Sequence, residues 1–244
     1  MIKFEDVSLC LGNRTILQNI SFEVNRGETV LLVGSSGAGK STILRLIIGL
    51  LDATGGKIFV DGRDINTLSG KELNTLRKKF SLVFQHGALF DSLTIEDNVI
   101  FFLVESFNMP YIEAKEKVKE IIQFFNLEHF AQYYPSQISG GMKKRVSIAR
   151  AVVTEPEVIL YDEPTAGLDP FAAKKVVELI VSLQSQFNVT SLIVTHEIHH
   201  FVESVDRLIM LKNSKITYNG KPDLNILKHF EESERQLECL PKED

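Results

Sequence analysis

Apolar positions switch between strand and helix spacing along the chain. From Ile2 to Leu11 apolar and polar residues alternate loosely, and Ile20 to Val24 repeats the pattern over a shorter run, as half-buried strands do. Asn25-Arg26-Gly27 reads as a turn, and Thr29 to Val33 is a continuous apolar run of the buried-strand type. A Gly/Ser-rich loop follows, then Thr42 to Leu51, apolar at helical spacing. Gly55-Gly56 and Asp61-Gly62 bracket a hairpin strand at Lys57 to Val60, and Phe80 to Phe84 is a further strand.

Between about His86 and Ala151 the pattern turns helical. Tyr111, Ala114, Val118, Ile121, Ile122 and Phe125 fall on one helical face, opposite Glu113, Glu116, Lys117 and Glu120, which predicts an amphipathic surface helix. Strand spacing resumes at Val158 to Tyr161, Thr190 to Val194, Arg207 to Leu211 and Lys215 to Tyr218, with a helix over 170–186 between the first two. Strand–helix alternation broken by a helical block predicts an α/β core with an inserted helical subdomain. The core is expected over about 1–85 and 152–220, the insert over about 86–151, and a charged tail over 221–244 that forms a helix with a frayed end.

Composition narrows this reading rather than changing it. The 244 residues are 44% apolar and 24% charged, the usage of a globular chain long enough to bury a core without staples. Twenty-seven basic residues against 32 acidic ones give a net charge of −5, which disfavours a nucleic-acid partner. The basic runs Arg77-Lys78-Lys79 and Lys143-Lys144-Arg145 read as solvated helix faces. Two cysteines, Cys10 and Cys239, form no CxxC pair and suggest unpaired thiols in a reducing compartment. The N-terminus lacks a signal-peptide layout, and the longest apolar run, Val99 to Val104, falls far short of the ~20 residues that span a bilayer.

Chemistry enters at Gly34-Ser35-Ser36-Gly37-Ala38-Gly39-Lys40-Ser41-Thr42, which fits G-x-x-x-x-G-K-[ST] between a predicted strand and a predicted helix. Backbone N–H groups there can turn inward around phosphates, with the helix N-terminus adding its positive end. Lys40 would reach the β- and γ-phosphates and the Ser41 hydroxyl would ligate Mg²⁺. Val158 to Tyr161 ends in Asp162-Glu163. Alone this is a strand entering a turn; beside a phosphate loop, Asp162 reads as a Mg²⁺ partner and Glu163 as the group that polarises the attacking water. Ser139-Gly140-Gly141 opens a helix and offers further N–H groups to an anion, or merely a cap to its own helix. His196 follows an apolar strand, where it is either a γ-phosphate contact or a satisfied loop histidine.

The order of these elements resembles the nucleotide-binding subunit of ABC transporters, from Phe4 to about Gly220. The resemblance implies a single ABC ATPase domain: a P-loop NTPase core, built as a RecA-like sheet with an antiparallel β subdomain, plus an inserted helical subdomain. It implies that Gln85 ligates Mg²⁺ and senses the membrane partner, that Ile138 to Met142 stands at the signature, that Asp169 of Gly167-Leu168-Asp169 is the D-loop aspartate, and that His196 is the switch histidine. Met142 replaces the usual glutamine, and Leu11 stands where the family has an aromatic that stacks on adenine, which puts selectivity for ATP over GTP in doubt. Gly87-Ala88-Leu89-Phe90 and Met142 look similar to the ATPases of Mla/Mce-type lipid transporters. What the resemblance implies is an ATP- and Mg²⁺-dependent ATPase, peripheral at the cytoplasmic face of the inner membrane. Its expected partners are a second copy of itself, a multi-span permease docked near Gln85 to Asn98, and an Mce-domain lipid-binding protein, with phospholipid as cargo. The alternative is a non-transport ABC ATPase acting as a switch in iron–sulfur cluster assembly or cell division.

Overall fold

The structure is a computed structural model and is described over residues 1–223. The expected tail helix after Pro222, and Cys239, lie outside the described residues. The first half contains β1 (Ile2–Leu11), β2 (Arg14–Val24), β3 (Thr29–Val33), α1 (Lys40–Ile47), β4 (Gly55–Val60), β5 (Arg63–Asp64), α2 (Gly70–Arg77) and β6 (Phe80–Val83). Three helices follow, α3 (Ile95–Glu105), α4 (Tyr111–Phe124) and α5 (Gly140–Val152). The chain then runs through β7 (Val158–Asp162), α6 (Pro170–Phe187), β8 (Thr190–Thr195), β9 (Arg207–Lys212) and β10 (Lys215–Gly220).

The strands form two sheets. One is antiparallel, in the order β2-β1-β4-β5; the other runs β10-β9-β3-β8-β7-β6 and is parallel except for its edge strand β10. Central strands of the second sheet are apolar on both faces, and their residues divide by alternation. Leu31, Ile159, Tyr161 and Ile193 pack with α3 to α6, while Leu32, Leu160, Leu192 and Val194 pack with α1 and the antiparallel sheet. A parallel sheet covered on both sides is why these strands read as unbroken apolar runs.

Three expectations need correction. The helix expected over 42–51 runs from Lys40 to Ile47 and closes in a Schellman-type turn, with the Gly49 N–H on the Leu46 carbonyl and the Leu50 N–H on the Arg45 carbonyl. The basic runs are solvated only in part: Lys78 is exposed, but the residues beside it are engaged. Arg77 donates to the carbonyls of Ile48 and Gly49 at the end of α1, and Lys79 pairs with Asp61 and Glu157. Lys144 is buried, and Arg145 donates to the Phe125 carbonyl. On α4, Ala114, Val118 and Ile122 are buried as expected. Tyr111, in the first turn, is about half exposed and donates its hydroxyl to Asp97 instead.

The segment joining β6 to α3 is fixed by one side chain. Asn98 is fully buried; its Oδ1 accepts from the Phe90 N–H at 2.8 Å, and its Nδ2 donates to the carbonyls of Phe90, Leu93 and Thr94. Truncation would leave four main-chain groups short of partners around a buried side chain. Asn98→Ala should cost about 1–3 kcal/mol in urea unfolding, the range for buried polar groups left unpaired. A loss below about 0.5 kcal/mol would mean the segment is held by other contacts.

Candidate functional site

Neighbouring strands β3, β8, β7 and β6 run parallel, so their carboxyl ends lie on one edge of the sheet. The register sets them level: Val33 faces Thr195, Val194 faces Asp162, and Tyr161 faces Val83. The residues that follow, Gly34, His196, Glu163 and Phe84-Gln85, therefore gather along one line. Open α/β sheets bind ligands at this edge.

Gly34 to Ser41 leaves β3 and turns into α1. A Cβ on Gly34 would lie 2.5 Å from the Leu211 carbonyl oxygen, so only glycine fits where the loop crosses β9. Gly39 has φ of 102°, and a Cβ there would meet Leu17 Cδ2 at 2.9 Å and the Ile16 oxygen at 3.3 Å. Glycine is required twice over, by conformation and by space. Ser35, Ser36, Gly37 and Ala38 form the rest of the loop, and Thr42 lies in the first turn of α1. Leu11 ends β1, exposed, opposite Arg14 in the hairpin.

Lys40 is buried and donates its ammonium to the carbonyls of Gly34 at 2.8 Å and Ser35 at 3.1 Å, with Glu163 Oε1 at 3.4 Å. Glu163 Oε2 accepts from the Thr195 hydroxyl at 2.9 Å, the His196 backbone N–H at 3.2 Å and His196 Nδ1 at 3.0 Å. Burial pushes the Glu163 carboxyl up, but the hydrogen bonds from His196 and Thr195 and the Lys40 charge outweigh it. The group ends below its ordinary value of 4.5. An ionised carboxylate is thus held at a sheet edge, beside a lysine and a half-exposed imidazole.

The Ser41 hydroxyl donates to Asp162 Oδ1 at 2.7 Å. A hydroxyl and a carboxylate are hard oxygen donors of the kind Mg²⁺ takes, and the residues fit that ion. Among the described residues no group of three His, Cys, Asp or Glu could hold a metal. The two oxygen donors, Ser41 and Asp162, suit an ion that completes its shell from water and phosphate oxygens.

The structure brings Lys40, Ser41, Asp162, Glu163 and His196 together. It does not bring the Gln85 side chain among them: that side chain is exposed, while its main-chain oxygen accepts from Lys144. Ser139 and Asp169 form a separate pair of helix starts. Ser139 Oγ accepts from the Met142 N–H, and Asp169 Oδ1 from those of Phe171 and Ala172. The two starts touch, with a Cβ on Gly140 falling 3.6 Å from Leu168 and one on Gly141 falling 3.3 Å from Ala172. The sequence reading missed Thr195 and Lys144. Thr195 ends a buried strand and carries no motif, and Lys144 lies in a basic run that looks like surface.

A family model described as ABC transporter matches residues 17–166. The chain belongs to the ABC transporter family. Its fold is the ATP-binding cassette, an α/β P-loop core with an antiparallel β subdomain and a helical part. Methionine import ATP-binding protein MetN of Carboxydothermus hydrogenoformans is 40% identical over 211 residues, covering 86% of this chain and 62% of that protein. MetN 2 of Bacillus cereus is 40% identical over 225 residues, 91% of this chain and 66% of that protein. The chain thus spans less than two thirds of the length of these curated relatives. The dimeric post-hydrolysis state of the ATP-binding cassette MJ0796 with ADP and Pi superposes with a TM-score of 0.81 at 33% identity, over 91% of this chain and 99% of that one.

The depressed Glu163 pKa fixes the sign of a pH effect. An ionised group favoured by the fold adds stability above its unfolded-state value, and that contribution is lost as pH falls through the native value. The stability of the chain relative to Glu163→Gln, followed by urea unfolding from about pH 7 to about pH 3, should be level at first and shrink below about 4.5. A difference independent of pH would show that the fold does not favour the anion.

Proposed function

We propose that the chain is the ATP-hydrolysing subunit of an ABC transporter, with Glu163 as the group that activates water. The observation that carries this reading is the Glu163 carboxylate, held ionised between Lys40, Thr195 and His196 at the mouth of the phosphate loop. In this account the backbone of Gly34 to Thr42 cradles the phosphates, and Lys40 leaves its two carbonyl partners for the β- and γ-phosphates. Ser41 and Asp162 would hold Mg²⁺, with the Gln85 side chain as a further oxygen donor. The chemistry such an ion would supply is neutralisation of charge on the phosphate oxygens. His196, with Nδ1 towards Glu163, keeps Nε2 to contact the γ-phosphate.

Two copies stacked head to tail would place Ser139 to Gly141 of one on the nucleotide of the other, beside its own Asp169. The dimeric cassette with 33% identity supports pairing of two copies. A groove of about 490 Å³ lined by Arg77, Phe84, Phe102, Phe107 and Arg150, next to Gln85, suits a permease segment. No helix among the described residues is long and apolar enough to cross a membrane. A peripheral position at the cytoplasmic face, held by a membrane-embedded permease, follows from this reading.

For cargo, the relatives point to methionine import, which brings a solute-binding protein in place of an Mce-domain partner. The lipid cargo has no support among them, nor has a switch in iron–sulfur assembly or cell division. The residues behind the lipid resemblance have packing work to do. Arg150 donates to the carbonyls of Gly87 and Ala88, and Leu89 and Met142 lie against the helical core. Such residues say little of what a permease carries.

Glu163→Gln should keep ATP binding, slow hydrolysis by roughly 10²–10⁴-fold and accumulate an ATP-bound dimer, measured by turnover and size-exclusion chromatography. Normal turnover would remove Glu163 from the mechanism. With the permease purified alongside, methionine with its binding protein should stimulate hydrolysis, and phospholipid should not. Stimulation by phospholipid alone would reinstate the lipid reading.

A further inference from the structure

Lys144 lies on α5, in the second turn after Ser139-Gly140-Gly141, and is only 6% exposed. Its ammonium has no carboxylate partner among the described ion pairs. It donates instead to two main-chain carbonyls on separate segments: that of Gln85, just past β6, and that of Glu163 at 3.1 Å, just past β7. A buried cation is costly unless its donors are used, and here they are used to join two loops. Glu163 needs such a tether. Its φ of 49° lies in the left-handed region, which a non-glycine residue adopts only when its surroundings impose it. Its N–H is fixed on the Val194 carbonyl at 2.9 Å, and its carbonyl takes Lys144 and the Ala166 N–H. Burial pushes the Lys144 ammonium below its ordinary value, and the nearby charges of Glu163, Glu197 and Asp162 offset only part of that.

We propose that Lys144 is a positioning residue for hydrolysis, tying the main chain of Gln85 to that of Glu163 so that the carboxylate is aimed only while the Gln85 segment is seated. The inference rests on Glu163 as the water-activating group. A shift of the Gln85 segment, which borders the apolar groove through Phe84, then reaches Glu163 through one side chain rather than through the sheet. Binding of nucleotide is left to the phosphate loop, which Lys144 does not touch. The tether therefore acts on kcat and not on affinity.

The test is a double-mutant comparison in the full-length chain. Lys144→Met removes the ammonium and keeps the stem. It should bind ATP within about threefold of the parent and hydrolyse it on the order of 10–100-fold more slowly, the loss expected when a catalytic group is misplaced by about 1 Å. Added to Glu163→Gln, the same change should slow single-turnover hydrolysis no further, because its effect passes through that carboxylate. Lys144→Gln keeps an amide donor one atom shorter and should fall between the two. If Lys144→Met does not fold, Lys144→Gln in both backgrounds carries the same comparison. Unchanged kcat, a full additive loss in the Glu163→Gln background, or affinity falling as far as kcat would each overturn the proposal. Normal turnover in Glu163→Gln alone would instead overturn the role of Glu163, so the two failures are distinct.

Discussion

Lys40 and Glu163 place opposite charges 3.4 Å apart, with about a tenth or less of either side chain exposed. Taking both groups out of water costs several kcal/mol per ion, which their attraction offsets only if every remaining donor and acceptor is filled. Much of the surrounding structure does that filling. Two carbonyls of the phosphate loop take the lysine; Thr195 and the backbone and ring of His196 take the carboxylate. The level ends of β3, β7 and β8 make this possible, because each supplies one side of the junction. The bare backbone of Gly34 lets the loop cross β9 closely enough to keep the lysine within reach.

A second constraint is spread over the loops around that junction. Long side chains reach across from helices to hold main-chain carbonyls of segments that have no ladder of their own. Arg77 covers the end of α1, Arg150 holds Gly87 and Ala88, Asn98 fixes Phe90 to Thr94, and Lys144 joins Gln85 to Glu163. Buried carbonyls must find donors, and a guanidinium or ammonium can serve several at once. Order at the sheet edge is therefore set by these helical residues as well as by the strands. The segments past β6 and β7 are tied to the core by a few side chains rather than by a ladder.

Much of the site was legible in the residues because its chemistry is local. Gly34 to Thr42 needs particular residues in sequence to shape a phosphate loop, and Asp162-Glu163 must follow a strand. Both spacings survive without any knowledge of the fold. Parallel strands were readable for a related reason: burial on both faces leaves an uninterrupted apolar run. The ends of α1 and the exposure of Tyr111 were not, since a Schellman turn and a hydroxyl bond to Asp97 depend on chain geometry beyond periodicity.

By itself the sequence determined the element order, the α/β class, the phosphate loop and the paired carboxylates, because each is a pattern of neighbouring residues. Tertiary structure alone decided that Arg77, Lys144 and Arg145 are tethers and not a solvated surface, because their partners lie 19 to 59 residues away and are backbone atoms. A carbonyl acceptor leaves no mark in the sequence. Thr195 was silent for the same reason: its value is the 2.9 Å bond to Glu163, which exists only once β7 and β8 lie side by side.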